Sequence, residues 1–304
     1  PNSALARAPR ETSIAMYTRL SVLLAVAGVA EAFLPASPAL RSPSTSLSCR
    51  QNLAVSRGGG STASSSLLGL QMQKVDDKTE VREYFNTEGF NRWNKIYSDS
   101  EDVNSVQKFI RSGHQETIDK VLMWVDDDGT ASRGDTFCDA GCGVGSLAIP
   151  LADMGAKVSA SDISSAMAGE AARRAESLTL KGSASFETAD LESLSGQYDT
   201  VSCIDVLIHY PTEKMDDMVG HLAGLAKKRF IISFAPYTPF YAVLKWVGSM
   251  APGPSKATRA YLHAEEDVVA ALKKRGFKIQ RTEMTATNFY FSRLLEAVRE
   301  SPIE

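Results

Sequence analysis

From residue 76 onward the chain alternates short apolar runs with longer amphipathic ones. The short runs, bounded by Gly, Asp and Ser, read as buried strands at residues 136–139, 157–161, 184–187, 198–204, 229–233, 278–281 and 288–294. The amphipathic runs read as helices at 146–154, 164–178, 211–226 and 264–274. Ser164 is placed to cap the second of these through the amide of Met167. Gly276 closes the last one. Strand and helix in alternation with short connections predict a doubly wound α/β fold with seven strands. Two segments stand outside that alternation. Residues 81–125 are helical by pattern, through Val106, Ile110, Ile118, Val121, Leu122 and Val125. Residues 236–262 interrupt the path from the fifth strand to its helix. They include an apolar run at 240–250 and could cover a ligand as a lid.

The front of the chain has a different texture. Met16 reads as a start, with residues 1–15 upstream of it. Arg19 then precedes an eleven-residue apolar run at 20–30. That run is too short to span a bilayer and suits a signal-peptide core, with Ala30 and Ala32 at the cleavage positions. Residues 33–75 contain ten serines, four basic residues and no acid. This is transit-peptide composition. A signal peptide followed by such a stretch resembles the bipartite presequences of algae with secondary plastids. Residues 1–73 are therefore expected to be a disordered targeting presequence and 74–304 the functional domain. The expected location is the plastid, in the stroma or peripheral to a thylakoid or envelope membrane.

Charge sharpens that division. The 304 residues carry a net charge of only −3, but residues 1–75 hold seven basic residues and two acids, so the excess acid lies in the body. An acidic body without a basic stripe argues against a nucleic-acid partner. Of four cysteines, Cys138, Cys142 and Cys203 fall in or beside predicted strands. They read as small buried hydrophobes rather than a disulfide framework, Cys49 being the fourth. No protein-held metal is expected.

The chemistry is concentrated after the first strand. Asp139-Ala140-Gly141-Cys142-Gly143-Val144-Gly145 makes a tight turn into a helix, where backbone can approach a ligand that any Cβ would obstruct. The acid at the strand end suits a ligand that carries an ammonium group rather than a pyrophosphate. Asp162, 23 residues on, ends the next strand and is placed to accept two ribose hydroxyls.

The D-x-G-x-G-x-G turn resembles motif I of class I S-adenosylmethionine (SAM) methyltransferases. Longer segments narrow the resemblance: YFNTEGFNRWNKIYSD at 84–99, VQKFIRSGHQETID at 106–119, DLESLSGQYDTVSCIDVLIHYP at 190–211, SFAPYT at 233–238, PGPSKATRAYLH at 252–263 and NFYFSRLLEAV at 288–298. Together these closely resemble the magnesium protoporphyrin IX O-methyltransferases of chlorophyll biosynthesis. The resemblance implies a Rossmann-like class I methyltransferase fold with a seven-stranded, mostly parallel sheet whose last strand is antiparallel, an N-terminal helical arm (77–125) and a lid insertion (236–262). It implies methyl transfer from SAM to a propionate of magnesium protoporphyrin IX, giving the 13-monomethyl ester and S-adenosylhomocysteine. Magnesium chelatase subunits and a plastid membrane surface are further expected partners. Two other readings are a quinone-type O-methyltransferase and a non-catalytic plastid tetrapyrrole carrier.

The same resemblance assigns residues. Asp139, Gly141, Gly143 and Gly145 fall at the methionine end of SAM. Asp162 falls at the ribose, Ile163, Asp190 and Leu191 at the adenine, and Asp205 at the sulfonium. His209 and Tyr97 are the expected catalytic residues: His209 hydrogen-bonds the attacking carboxylate or acts on the magnesium side of the porphyrin, and Tyr97 closes over the cofactor and helps orient the carboxylate. Tyr84, Arg111, Trp246, Lys256 and Arg259 are the expected porphyrin contacts, the basic ones anchoring the second propionate. His114 is expected to be structural.

Overall fold

Seven strands hydrogen-bond into one sheet in the order β3-β2-β1-β4-β5-β7-β6. The strands are β1 (Thr136–Ala140), β2 (Lys157–Asp162), β3 (Ser183–Thr188), β4 (Tyr198–Cys203), β5 (Ala226–Phe234), β6 (Phe277–Ala286) and β7 (Phe291–Arg299). The first five are parallel, and β7 runs antiparallel between β5 and β6. The computed structural model describes residues 77–98, 100–239, 241–242 and 260–301. The presequence expected at 1–73 lies outside the described residues, as does most of the lid insertion. Among the described residues, no helix is long and apolar enough to cross a membrane.

Strand periodicity divides the core into two layers. Cys138, Val201, Phe230 and Ile232 face one way, onto α6 (Thr212–Leu225) and α7 (Glu265–Lys273). Phe137, Val158 and Ile231 face the other way, onto α3 (Ser105–Asp127) and α4 (Ala148–Asp153). Successive side chains in a strand point to opposite faces, so each run of apolar residues serves both layers. α5 (Ser165–Glu176) flanks β2 and β3, and the Met167 amide donates to its Ser164 cap at 3.2 Å.

Two differences from the expected elements have clear causes. The segment expected as an N-terminal arm is three helices: α1 (Asp77–Asn86), α2 (Glu88–Ile96) and α3. Only α1 and α2 behave as an arm. α3 belongs to the body, because Ile118, Val121, Trp124 and Val125 are buried against the sheet. It begins at a capping box in which Asn104 and Gln107 exchange side-chain bonds to backbone amides. The last hairpin turns at 287–290, where the strand expected at 288–294 was to begin. There the Thr287 hydroxyl accepts from the Tyr290 amide at 3.2 Å, and the Thr287 amide donates to the Tyr290 carbonyl at 2.8 Å. β6 and β7 are therefore longer and later than the apolar pattern alone suggests. The insertion leaves and rejoins the body at one place: Pro236 bridges His263, and the His263 amide donates to the Ala235 carbonyl at 3.0 Å.

At the opposite end of the sheet from the glycine turn sits a buried ion network. Arg229, 5% exposed, lies 3.0 Å from Glu296 and 2.9 Å from Asp128, and Arg281 also reaches both acids. Burial pushes the Glu296 carboxyl up, and the two arginines oppose it. The network joins β5, β6 and β7 to the end of α3. Arg229→Met should lower stability by about 3 kcal/mol, since a buried acid losing one partner is costlier than the pair is favourable. Denaturant unfolding measures this. A loss below about 1 kcal/mol would show that Arg281 alone suffices.

Candidate active site

The order of the strands reverses between β1 and β4, and the ligand crevice of an open α/β sheet opens at such a point, past the carboxyl ends of the strands. A cavity of about 630 Å³ lies there. The glycine turn forms its base. Gly141 has φ +85°, and its amide donates to the Ser161 carbonyl at 2.8 Å, tying the turn to β2. A Cβ on Gly141 would meet Val206 Cγ2 at 2.2 Å. Around the Cβ position of Gly143, by contrast, nothing lies within 4 Å, so the turn leaves that space to a ligand. Gly141 and Gly143 line the cavity, as expected. Gly145 does not. A Cβ there would meet Ile149 at 2.8 Å, so this glycine permits close packing of the turn onto the helix that follows.

Two acids face the cavity from the strand ends. Asp139 is 2% exposed. Its Oδ1 accepts from Ser202 at 2.9 Å, while Oδ2 is buried without a hydrogen-bond partner. Burial pushes its pKa up to about 6, against the Ser202 hydrogen bond and with a further push from Asp162. An orphaned buried carboxylate oxygen is costly in isolation and fits a ligand ammonium. Asp162 accepts from the amides of Gly143 at 3.0 Å and Ser164 at 2.9 Å, which leaves lone pairs for hydroxyls. Ile163 and Leu191 stand beside it in the wall, as expected. Asp190 does not line the cavity. It caps a short 3₁₀ turn through the Glu192 amide and pairs with Lys78 at 3.0 Å, so it supports the wall from behind.

Asp205 faces the cavity but is not free to serve as a direct ligand in the way the resemblance implies. Its carboxylate accepts from His114 Nδ1 at 2.8 Å, Tyr290 Oη at 2.8 Å and Ser233 Oγ at 2.9 Å. It is the single non-glycine residue with positive φ among the described residues, at +59°. Asp tolerates that conformation better than most residues, and strain of this kind collects at functional sites. Burial alone would raise its pKa, but the hydrogen bonds from His114, Tyr290 and Ser233 outweigh that and hold it down. Asp205 is thus a fixed anion that arranges its neighbours. His114, expected to be merely structural, is one of them: it lines the cavity with Nε2 buried and unpartnered.

The two expected catalytic residues are both present. His209 sits in a 3₁₀ turn (Leu207–His209) just past β4, with its ring edge-on to Phe85 at 5.4 Å between centroids. Burial lowers its pKa to about 4, against the pull of Asp205, so the ring is neutral near pH 7. Tyr97 ends α2 and stacks between Trp93 at 5.4 Å and His114 at 4.4 Å. Burial, then the charge of Asp205, pushes its phenol well above the usual range, so it stays a neutral donor. The arm is docked by polar contacts. Arg174 on α5 donates to the Tyr97 carbonyl at 3.0 Å and to Asn94 Oδ1 at 2.6 Å, and Ala166 donates to Asn86 Oδ1 at 3.2 Å.

Two expected porphyrin contacts are misplaced. Arg111 points away from the cavity and donates to the carbonyls of Ile96, Lys95 and Ser100, closing the end of α2. Tyr84 packs on Gly89 and Phe85 within the arm and does not line the cavity. Trp246, Lys256 and Arg259 lie outside the described residues. Besides His114, sequence reasoning passed over Tyr290, Phe85 and Trp93. One signal was available: His114 stands four residues from both Ile110 and Ile118, a polar residue in an apolar stripe.

The sheet order, the glycine turn and the paired strand-end acids define a class I SAM-dependent methyltransferase. A general methyltransferase-domain family matches residues 137–229, and the family described as magnesium-protoporphyrin IX methyltransferase C-terminus matches 203–299. The chain belongs to the magnesium protoporphyrin IX methyltransferase family. It is 56% identical over 226 residues to the magnesium-protoporphyrin O-methyltransferase of Synechocystis sp., covering 74% of this chain and 97% of the relative. It is also 56% identical over 232 residues to the chloroplastic magnesium protoporphyrin IX methyltransferase of Arabidopsis thaliana, covering 75% and 74%. The crystal structure of the Synechocystis PCC 6803 methyltransferase with bound SAH superimposes with a TM-score of 0.68 at 54% identity, covering 73% of this chain and all of that one.

The orphaned Asp139 carboxylate gives a signed pH dependence. Its pKa is raised from 3.8 to about 6 in the fold. Its contribution to stability is fully present below 3.8 and is lost as pH rises through about 6. Asp139→Asn removes that dependence. Relative to the parent, the ligand-free variant should gain about 1.4 kcal/mol of stability between pH 5 and pH 8. Denaturant midpoints at the two pH values test this, and a parent–variant difference that does not change with pH would contradict it.

Proposed function

We propose that this protein transfers a methyl group from SAM to one propionate carboxylate of magnesium protoporphyrin IX, giving the monomethyl ester at the 13-position in chlorophyll biosynthesis. One juxtaposition carries the reading. An open glycine turn with a carboxylate waiting for an ammonium shares a single apolar cavity with two neutral donors, Tyr97 and His209. Family membership supplies the substrate.

When bound, SAM supplies an electrophilic methyl on a sulfonium. The residues present fit it: Asp139 for the ammonium, the Gly141–Gly143 backbone for close approach, Asp162 for the ribose, and Ile163 and Leu191 for the adenine. A propionate is already ionised at neutral pH and needs no base. Its charge falls as the new C–O bond forms, so strong cationic stabilisation would favour the ground state over the transition state. Neutral donors avoid this. The Tyr97 hydroxyl and a His209 N–H hold the carboxylate in line while leaving its attacking lone pair available. Catalysis rests on alignment and on excluding water.

The decisive experiment is mass spectrometry of the porphyrin after incubation with SAM. The product should be one methyl heavier, and mild saponification should remove that methyl, as only an ester allows. An unmodified porphyrin would sink the reading. Tyr97→Phe and His209→Gln should each lower kcat/KM by about 10- to 100-fold through misalignment, with S-adenosylhomocysteine affinity unchanged. That affinity should itself weaken in the parent as pH falls below about 6 and Asp139 takes up a proton, and should not do so in Asp139→Asn. Titration calorimetry at pH 5.5 and 8 separates the two cases.

The leader belongs to the same reading. Residues 1–73 act as a bipartite presequence that delivers the enzyme to a secondary plastid, where it works in the stroma or against a membrane, near magnesium chelatase. The chloroplastic name of the Arabidopsis relative supports the plastid. Retention of a fluorescent fusion of residues 1–75 outside the plastid would contradict it.

A further inference from the structure

Arg92 stands in the cavity wall, on α2, beside Trp93. Its guanidinium carbon lies 6.0 Å from the Trp93 ring centroid. The side chain is half-buried, and Nε is fully buried with no hydrogen-bond partner. Among the described residues it makes no ion pair. The cations Lys78, Lys95 and Arg111 are committed elsewhere: Lys78 to Asp190 and Glu192, Lys95 to Asp102, and Arg111 to three carbonyls. Arg174, on α5, is held by Glu170, Asn94 and the Tyr97 carbonyl. A guanidinium with a buried unsatisfied donor is costly, and the cost is recovered when an anion arrives. A planar fork of N–H groups, with an aromatic face beside it, suits a carboxylate better than any other common anion except phosphate. Neither ligand of the proposed reaction carries phosphate, and both carry a carboxylate that does not react.

We propose that Arg92 is a carboxylate-binding residue of this cavity, and that it holds a non-reacting carboxylate during methyl transfer. This rests on the function proposed above. Two sources share the chemistry: the second propionate of the porphyrin and the amino-acid carboxylate of the methyl donor. In the first case Arg92 fixes which propionate reaches the methyl. In the second it completes, with Asp139, a clamp on the zwitterionic end of the cofactor.

Two ligand pairs distinguish the sources. S-adenosylhomocysteine is compared with 5′-methylthioadenosine, which lacks the amino-acid end. Magnesium protoporphyrin IX is compared with the analogue in which the non-methylated propionate is an amide. Arg92→Gln should weaken one carboxylate-bearing member by about 10- to 100-fold, the loss of a charge-assisted hydrogen bond, and leave its partner within about two-fold. Arg92→Lys keeps the charge without the fork and should fall between. A loss confined to S-adenosylhomocysteine, read as Kd, assigns the cofactor carboxylate. A loss confined to the diacid porphyrin, read as KM, assigns the propionate. Equal losses within both pairs, or no loss in either, would overturn the proposal. A parent enzyme that binds S-adenosylhomocysteine but leaves the porphyrin unmethylated would instead refute the substrate.

Discussion

The carboxylate of Asp205 is the point on which the site is hung. It lies just past β4, yet it takes hydrogen bonds from His114 on α3, Ser233 on β5 and Tyr290 in the turn before β7. Four elements from distant parts of the chain are thereby fixed at one end of the sheet. The Tyr290 hydroxyl also reaches Thr117, 3.0 Å away, so the network continues along α3. The bonds are short and buried, where each is worth more than in water. Their collective effect keeps Asp205 ionised in spite of its burial. The aromatic stack of Trp93, Tyr97 and His114 rests on this network through His114. The wall that faces the substrate is therefore positioned by a charge that need not touch it.

The electrostatics of the cavity follow from that arrangement. The anions are assigned unequally. Asp205 is satisfied by protein donors, whereas Asp139 has one oxygen satisfied and one waiting. The donors differ likewise. Burial keeps Tyr97 and His209 neutral, while Arg92 presents a half-buried guanidinium. The cavity thus combines an unsatisfied anion with neutral donors in one wall. Cys138, Cys142 and Cys203 are free and buried, and burial pushes all three up, Cys138 to about 12.

What could be read from the sequence was local. The glycine turn, Asp139 and Asp162 lie within 25 residues, and each role depends on a strand–turn–helix that its own neighbours specify. The central strands β1, β4 and β5 were legible because both faces of the sheet are covered there, which buries consecutive residues, whereas β3 and β6 at the edges are largely exposed. The hairpin was misjudged because its position depends on hydroxyl chemistry at Thr287, which hydrophobicity does not register. Arg111 was misjudged for a related reason. A cation beside an apolar stripe looks available, and only the fold reveals three carbonyls at the end of α2 that claim it. His114, Tyr290 and Arg92 act through partners remote in sequence or through a cavity that does not exist until the sheet is assembled.

The docking of the arm has a kinetic meaning. Ser164 Oγ lies 3.0 Å from the Phe85 carbonyl across 79 residues, and Tyr290 meets Thr117 across 173. Contacts of such long sequence separation close late, because the loop entropy they cost must be met before they contribute. The arm meets the body through polar contacts at its rim and the ring contacts Phe85–His209 and Tyr97–His114, so it is expected to open at lower free energy than the sheet.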